Sequence, residues 1–169
     1  VERDGWLPPN LLFKSAHRLA WYTEAMRHAM QFRVNGFNAT ITVPWPRLLF
    51  VASETSLSIA AIKGKGRPAL DAQVYHAPLM NIYEQGLVCR PAEDRQDNPA
   101  KAGIQWCEDV IFKTAFSHIN HQRSMKIGNK RQASTADVLR QWKRLTKAEQ
   151  FPAELLVPLS RRFQGYPAR

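Results

Sequence analysis

Cysteine is scarce in this chain, which contains two among 169 residues, Cys89 and Cys107. The two do not form a CxxC pair, and no cysteine and histidine cluster has the spacing of a zinc site. Neither a disulfide framework nor structural zinc is therefore predicted. We expect a reduced, cytoplasmic protein that needs no metal and no organic cofactor of its own.

Long apolar runs are also lacking. No stretch of about 18 apolar residues occurs, so the sequence predicts no membrane span. The first residues, Val1 to Asp4, are not followed by the apolar stretch of a secretory signal peptide. Because 169 residues with 44% hydrophobic content suit one globular core, we predict a single domain over residues 1–169, in which residues 160–169 form a loose basic tail.

Acidic side chains are few, 14 against 24 lysines and arginines, which gives a formal net charge of +10. The excess lies in residues 123–169, which hold 11 of the basic and 3 of the acidic residues. Such a region attracts a polyanion, either nucleic acid or an acidic protein surface. No helix-turn-helix, zinc finger or aromatic nucleic-acid motif accompanies it, so we rank electrostatic nucleic-acid binding as the third hypothesis of function.

The chain does contain an asparagine eight residues before a cysteine, Asn81 and Cys89, with Gly86 three residues before that cysteine. A thiolate can hold an acyl group as a thioester, and a nearby amide can stabilise the oxyanion that forms when an amine attacks. This pattern indicates Cys89 as an acyl acceptor and Asn81 as an oxyanion donor. The alternatives are a buried, inert thiol and an asparagine that holds a turn through its side chain.

A histidine follows the cysteine in the segment Phe116-Ser117-His118. His118 could accept a proton from an attacking amine near neutral pH, with Ser117 orienting the ring. The alternative is a histidine at a helix C-terminus that bonds the last carbonyls. Cys107 falls inside a predicted helix beside Trp106, and we assign it to the core.

Alternating or continuous apolar segments predict strands at residues 19–22, 30–34, 47–53 and 57–63. The short polar connection at residues 53–56 makes the last two a hairpin. Asn35-Gly36 marks a turn that Phe37-Asn38 lengthens.

Irregular extended chain is predicted for residues 73–89, a surface loop for 93–103, and a helix from Trp106 to about Ser117-His118. The fold class is thus α+β: an antiparallel meander, a cysteine-bearing segment and C-terminal helices.

The last predicted helix runs from about Thr135 to Lys147, capped by Ser134 or Thr135. Four basic residues share one face of it, at positions i, i+3, i+4 and i+7: Arg140, Lys143, Arg144 and Lys147. This basic stripe is either an ordinary solvated face or a docking site for an acidic partner.

An ordered series of motifs covers nearly the whole chain, and its segments include Leu7-Pro8-Pro9-Asn10, Val43-Pro44-Trp45-Pro46, Tyr75-His76-Ala77-Pro78, Asn81-Ile82-Tyr83 through Gly86 to Cys89, Phe116-Ser117-His118 and Leu155-Leu156-Val157-Pro158. The resemblance that this series carries is to PRTRC system protein B, a family of prokaryotic ubiquitin-conjugating-enzyme-like proteins. It implies a ubiquitin-conjugating-enzyme-like fold in which Cys89 accepts a ubiquitin-like protein, as a thioester, from a ThiF-like activating enzyme and passes it to an amine. It also implies a mobile-element or antiphage operon that encodes a JAB-type metalloprotease and a ParB-related protein.

The chain departs from ubiquitin-conjugating enzymes at two places. It has Leu79-Met80-Asn81 where they have His-Pro-Asn, and Arg90-Pro91-Ala92 follows the cysteine. A catalytically inactive binding module with the same fold, in the same operon complex, is therefore the alternative function.

Overall fold

The computed structural model describes residues 7–90 and 98–167. Within those ranges it contains nine strands and three α-helices. The strands are β1 Leu11–Lys14, β2 Arg18–Thr23, β3 Met26–Val34, β4 Phe37–Trp45, β5 Arg47–Ser53, β6 Leu57–Ile62, β7 Gln73–His76, β8 Ala115–Phe116 and β9 Pro158–Arg162. The helices are α1 Pro99–Ala102, α2 Ile104–Phe112 and α3 Thr135–Leu145. Across these described stretches, every helix is too short or too polar to cross a membrane.

A long antiparallel hairpin dominates the first half of the chain. Its pairs run from Arg18↔Ser53 through Met26↔Trp45 to Val34↔Phe37, and the register is the same along all of β2–β5 and β3–β4. Pro46, which has no N–H to donate, separates β4 from β5, and there the two arms pass from one sheet into another.

The tip of this hairpin corrects one detail of the prediction. Asn35-Gly36 is a turn as expected, with Gly36 at φ 78°. Phe37 and Asn38, however, do not lengthen the loop, because the pairs Val34↔Phe37 and Arg33↔Asn38 already belong to the ladder. A two-residue connection with glycine at positive φ lets the strands pair up to the turn.

The main sheet has the strand order β1-β2-β5-β6-β7-β9, and all its pairs are antiparallel. The prediction of an α+β chain with an antiparallel sheet is thus confirmed. The simple meander needs correction, because β3 and β4 leave this sheet and form a second one, in which β8 pairs parallel to β3. Every residue of β6 and all but Ser53 of β5 are buried, as expected for central strands packed on both faces.

The helix predicted to begin at Trp106 ends earlier than expected. α2 stops at Phe112 with Lys113 as its C-cap, and it does not reach Ser117-His118. The residues beyond it form β8, because Ala115 and Phe116 pair with Gln31 and Phe32 of β3. Part of the predicted surface loop is also helical, as α1, while residues 91–97 lie outside the described ranges.

The predicted loose tail at residues 160–169 is wrong for the residues up to Tyr166. Strand β9 pairs with β7, and Phe163 and Tyr166 are buried against one face of the main sheet. The Tyr166 hydroxyl donates to the Ile59 carbonyl over 2.6 Å. Apolar side chains scattered among arginines cover a sheet face that would otherwise meet water; Ala168 and Arg169 lie outside the described residues.

Candidate functional site

Residues 81–89 form a small β-hairpin that brings Asn81 and Cys89 side by side. The Cys89 N–H donates to the Asn81 carbonyl over 2.8 Å, and Ile82 pairs with Val88. The turn is closed by the Gly86 N–H, which donates to the Tyr83 carbonyl over 2.8 Å. The eight-residue interval between asparagine and cysteine is therefore the length that makes them cross-strand neighbours.

Strand β6 holds the second arm of this hairpin in place. Ile59 N–H donates to the Gly86 carbonyl, and Val88 N–H donates to the Leu57 carbonyl. Gly86 has φ 87°, and a Cβ there would lie 2.0 Å from Tyr166 Oη and 2.5 Å from the Ile59 oxygen. Glycine is thus required both by its backbone conformation and by the close approach of its neighbours.

The residues that lead into the hairpin are anchored by the core. Leu79 and Met80, which occupy the positions of the histidine and proline of ubiquitin-conjugating enzymes, are each 1% exposed. The indole N–H of Trp142, on α3, donates to the Pro78 carbonyl over 3.0 Å. Apolar burial and this bond position the chain before Asn81.

The Asn81 side chain connects the hairpin to the segment that follows α2. Its Nδ2 donates to the Ala115 carbonyl over 3.3 Å, and its Oδ1 accepts from the backbone N–H and the hydroxyl of Ser117, both at 3.3 Å. Because a backbone N–H only donates, the orientation of the amide is determined. The backbone adds a further link, since Asn81 N–H donates to the His118 carbonyl over 2.9 Å. Asn81 adopts φ 58°, which is strained for a residue with a side chain.

The His118 ring is held by its neighbour, since Nδ1 lies 2.8 Å from Ser117 Oγ. The Ser117 hydroxyl has a single hydrogen. If it is donated to Asn81 Oδ1, Nδ1 must be protonated and donate to Oγ. This arrangement satisfies both contacts of the hydroxyl, and it leaves Nε2 as the basic nitrogen of the neutral ring. The imidazole is exposed and is not part of the pocket at Cys89.

Cys89 is partly buried and opens onto a pocket of about 210 Å³. The pocket is lined by the hairpin residues Asn81, Ile82, Val88 and Cys89, by residues of α2 and by those just after it: Asp109, Val110, Ile111, Lys113, Thr114 and Phe116. On the outer side, the exposed Tyr83 hydroxyl donates to Cys89 Sγ over 3.7 Å. The volume is below the range of roughly 300–1,000 Å³ typical of drug-sized ligands, and it suits a peptide tail or a single side chain.

The contribution of α2 to this pocket could not be found in the sequence. Asp109 accepts from Lys113 Nζ at 2.7 Å and from Gln105 Nε2 at 2.9 Å. These hydrogen bonds from Lys113 and then Gln105 lower the pKa of the Asp109 carboxyl. The i, i+4 spacing of Asp109 and Lys113 was visible, but nothing in the sequence indicated which face of the helix met Cys89.

The other cysteine is not part of the site. Cys107 is fully buried in α2, and burial, with the nearby Glu108 carboxylate, raises the pKa of its thiol to about 12 despite the Arg90 guanidinium. Its predicted core position is confirmed. Among the described residues, no group of three or more His, Cys, Asp or Glu side chains has the arrangement of a metal site.

The helix predicted to reach Lys147 ends at Leu145, so three residues of the basic stripe lie on α3 and Lys147 lies in the turn after it. All four are exposed, and none lines the pocket at Cys89. The Lys143 ammonium sits 3.7 Å from the centroid of the Phe37 ring, at the tip of the long hairpin. Arg140 pairs with Asp137 at 3.3 Å. Of the two predicted caps, Ser134 and Thr135, the structure has Ser134, with Asp137 completing a capping box.

An antiparallel sheet with a cysteine and an asparagine paired on a buttressed hairpin, followed by helices, is consistent with an E2-like domain, the domain of conjugating enzymes. The chain belongs to prokaryotic E2 family D, whose model matches residues 1–159. No curated protein and no solved structure matches it.

Proposed function

We propose that this protein is a conjugating enzyme that carries a ubiquitin-like protein as a thioester on Cys89 and passes it to an amine. The observation that carries the proposal is the Asn81–Cys89 hairpin, which presents the thiol to a pocket in a chain of an E2 family. Among E2-like proteins, the motif series favours PRTRC system protein B of a bacterial mobile-element or antiphage operon.

Three side chains have proposed roles in the transfer. Cys89 is the acyl acceptor. The Asn81 amide has two Nδ2 hydrogens, of which one is donated to Ala115, and the second is the proposed donor to the oxyanion. His118 takes the proton of the attacking amine at Nε2, a role supported by the contact of Nδ1 with Ser117.

Partners follow from the same proposal. The modifier would come from a ThiF-like activating enzyme, which consumes ATP, and a JAB-type metalloprotease of the operon would remove it from its targets. The exposed basic stripe, on α3 and the turn after it, supports docking of an acidic surface on the modifier or on the activating enzyme. All these encounters would take place in the cytoplasm.

The test is intact-mass analysis of the protein mixed with the ubiquitin-like and ThiF-like proteins of its operon, ATP and magnesium. We expect a mass adduct equal to the modifier that is removed by thiol reductant, absent in Cys89→Ala and retained in Cys107→Ala. The proposal is overturned if the activating enzyme becomes loaded with the modifier but the wild-type protein gains no adduct.

A non-catalytic binding module is the second candidate, favoured by the buried Leu79-Met80 in place of His-Pro and by the engagement of the Asn81 amide. Under this alternative the mixture forms a complex without an adduct. Cys89→Ser then binds the partners as tightly as wild type.

A further inference from the structure

A lysine shares the pocket of the candidate acyl acceptor. Lys113, directly after α2, lines the same cavity of about 210 Å³ as Cys89, and it is the one lysine that does so among the residues that the structure describes. Two residues that line one small cavity lie close together, which favours reaction between an amine and a thiol that they carry.

The Lys113 ammonium is placed by α2 but not immobilised. Asp109, one turn earlier, bonds Nζ at 2.7 Å, and Gln105 bonds the other carboxylate oxygen at 2.9 Å. The Lys113 side chain is 72% exposed. An exposed i, i+4 ion pair contributes little to stability, so the ammonium can leave its partner easily.

We propose that Lys113 is a self-modification site, the acceptor of the acyl group carried by Cys89 of the same molecule. The inference rests on the proposed function, because it requires an acyl thioester on Cys89. It adds an acceptor that neither the family nor the motif identifies.

The transfer is an S-to-N acyl shift. Neutral Lys113 Nζ attacks the thioester carbonyl, the new N–C bond forms, and the C–S bond breaks with Cys89 leaving as a thiolate. The proton lost from nitrogen goes to that thiolate or to water, and no oxidant or other co-reactant is consumed.

The consequence is that the protein loses the thioester on Cys89 by modifying itself when no better acceptor occupies the pocket. An isopeptide-linked group on Lys113 would fill part of the cavity at Cys89, and it would slow further loading. Self-modification would thus limit activity when acceptors are scarce.

The experiment needs no partner protein. The full chain is incubated with a short peptide that ends in Gly-Gly and carries a 2-mercaptoethanesulfonate thioester, and excess probe is removed by desalting. Intact mass is then followed over time with and without reductant, and the modified residue is mapped by tandem mass spectrometry.

We expect a reductant-sensitive adduct on Cys89 that converts, at a rate independent of protein concentration, into a reductant-resistant adduct on Lys113. Lys113→Arg preserves the positive charge beside Asp109 and should reduce the resistant adduct at least tenfold. Lys101→Arg, an exposed lysine of α1 outside the pocket, should leave both steps unchanged.

Two results would overturn the inference. A stable thioester on Cys89 whose acyl group never reaches Lys113, or reaches other lysines equally, rejects self-modification and leaves the proposed function intact. If Cys89 is loaded neither by the probe nor, in the intact-mass test of the proposed function, by the activating enzyme, the proposed function and self-modification are rejected together.

Discussion

Asn81 and Cys89 are cross-strand partners, joined by a 2.8 Å hydrogen bond from the Cys89 N–H to the Asn81 carbonyl. The same asparagine bonds the chain after α2 through both ends of its side-chain amide. One residue therefore determines where the thiol lies relative to the pocket wall.

Asn81→Ala is expected to lower the free energy of unfolding by about 2 kcal/mol, because the side-chain bonds to Ala115 and Ser117 are lost. Transfer from Cys89 should fall as well. Urea denaturation measures the first effect and single-turnover discharge the second. A purely catalytic asparagine would leave the free energy of unfolding at its wild-type value.

Gly86→Ala should destabilise the protein by roughly 2–5 kcal/mol, since it combines a strained φ of 87° with overlap on Tyr166 and Ile59. Chemical denaturation measures the loss. Gly36→Ala is the matched control, because Gly36 also has positive φ but nothing lies within 4 Å of an added Cβ. Its cost should be about 1–2 kcal/mol, and equal costs at the two sites would contradict the packing argument.

Cys89 and Cys107 should differ sharply in reactivity. Iodoacetamide at pH 8 should alkylate Cys89 in the native protein, because its side chain reaches solvent, and should spare the buried Cys107, whose thiol pKa is raised to about 12. Peptide mapping distinguishes the two, with urea-denatured protein as the control in which both react. Alkylation of Cys107 at the rate of Cys89 under native conditions would show that α2 opens readily.

Stability should fall as the pH is lowered from about 7 to 4. Burial lowers the pKa of His76 to about 4, and the positive charges of His121 and Arg123 add to this effect, while a hydrogen bond to the Glu84 carbonyl opposes it. Burial also lowers the pKa of His121. Because an unfolded histidine has a pKa near 6.5, the unfolded chain binds protons that the folded chain does not. The loss should be on the order of 1–3 kcal/mol.

Urea denaturation between pH 7.5 and 4.5 measures this loss. His76→Gln should reduce the slope of stability against pH. The explanation is wrong if His76→Gln and the wild-type protein share one slope.

Charge reversal of the outer basic stripe should weaken docking without unfolding the protein. Arg144→Glu with Lys147→Glu avoids Arg140 and Lys143, which contact Asp137 and Phe37. The exposed pair Lys126→Glu and Arg131→Glu changes the net charge equally elsewhere and is the control. Calorimetry with the activating enzyme or the modifier should show at least tenfold weaker binding for the stripe variant and unchanged binding for the control variant. If the stripe variant instead loses only binding to DNA, and that binding weakens steeply as salt is added, the nucleic-acid hypothesis is favoured.

Strands and caps were largely predictable. The apolar runs gave β5, β6 and their hairpin, and Ser134 gave the start of α3, because each depends on residues close together in sequence. The end of α2 could not be predicted, because Ala115 and Phe116 pair with β3, which lies more than eighty residues earlier in the sequence. The ordered C-terminal segment was missed because its burial depends on a sheet face formed by other strands.

By itself, the sequence determined the eight-residue interval from Asn81 to Cys89 and the place of Gly86 within it. It did not show the hairpin, because irregular extended chain was predicted there and the pairing depends on support from β6. Only the tertiary structure decided what Cys89 faces. The packing of α2 against the hairpin brings Asp109 and Lys113 to the pocket, and the bonds of Asn81 place Ser117 and His118 beside it. These contacts join residues some 20 to 37 positions apart in sequence. Contacts between such residues form because the core is buried, and no local sequence pattern specifies them.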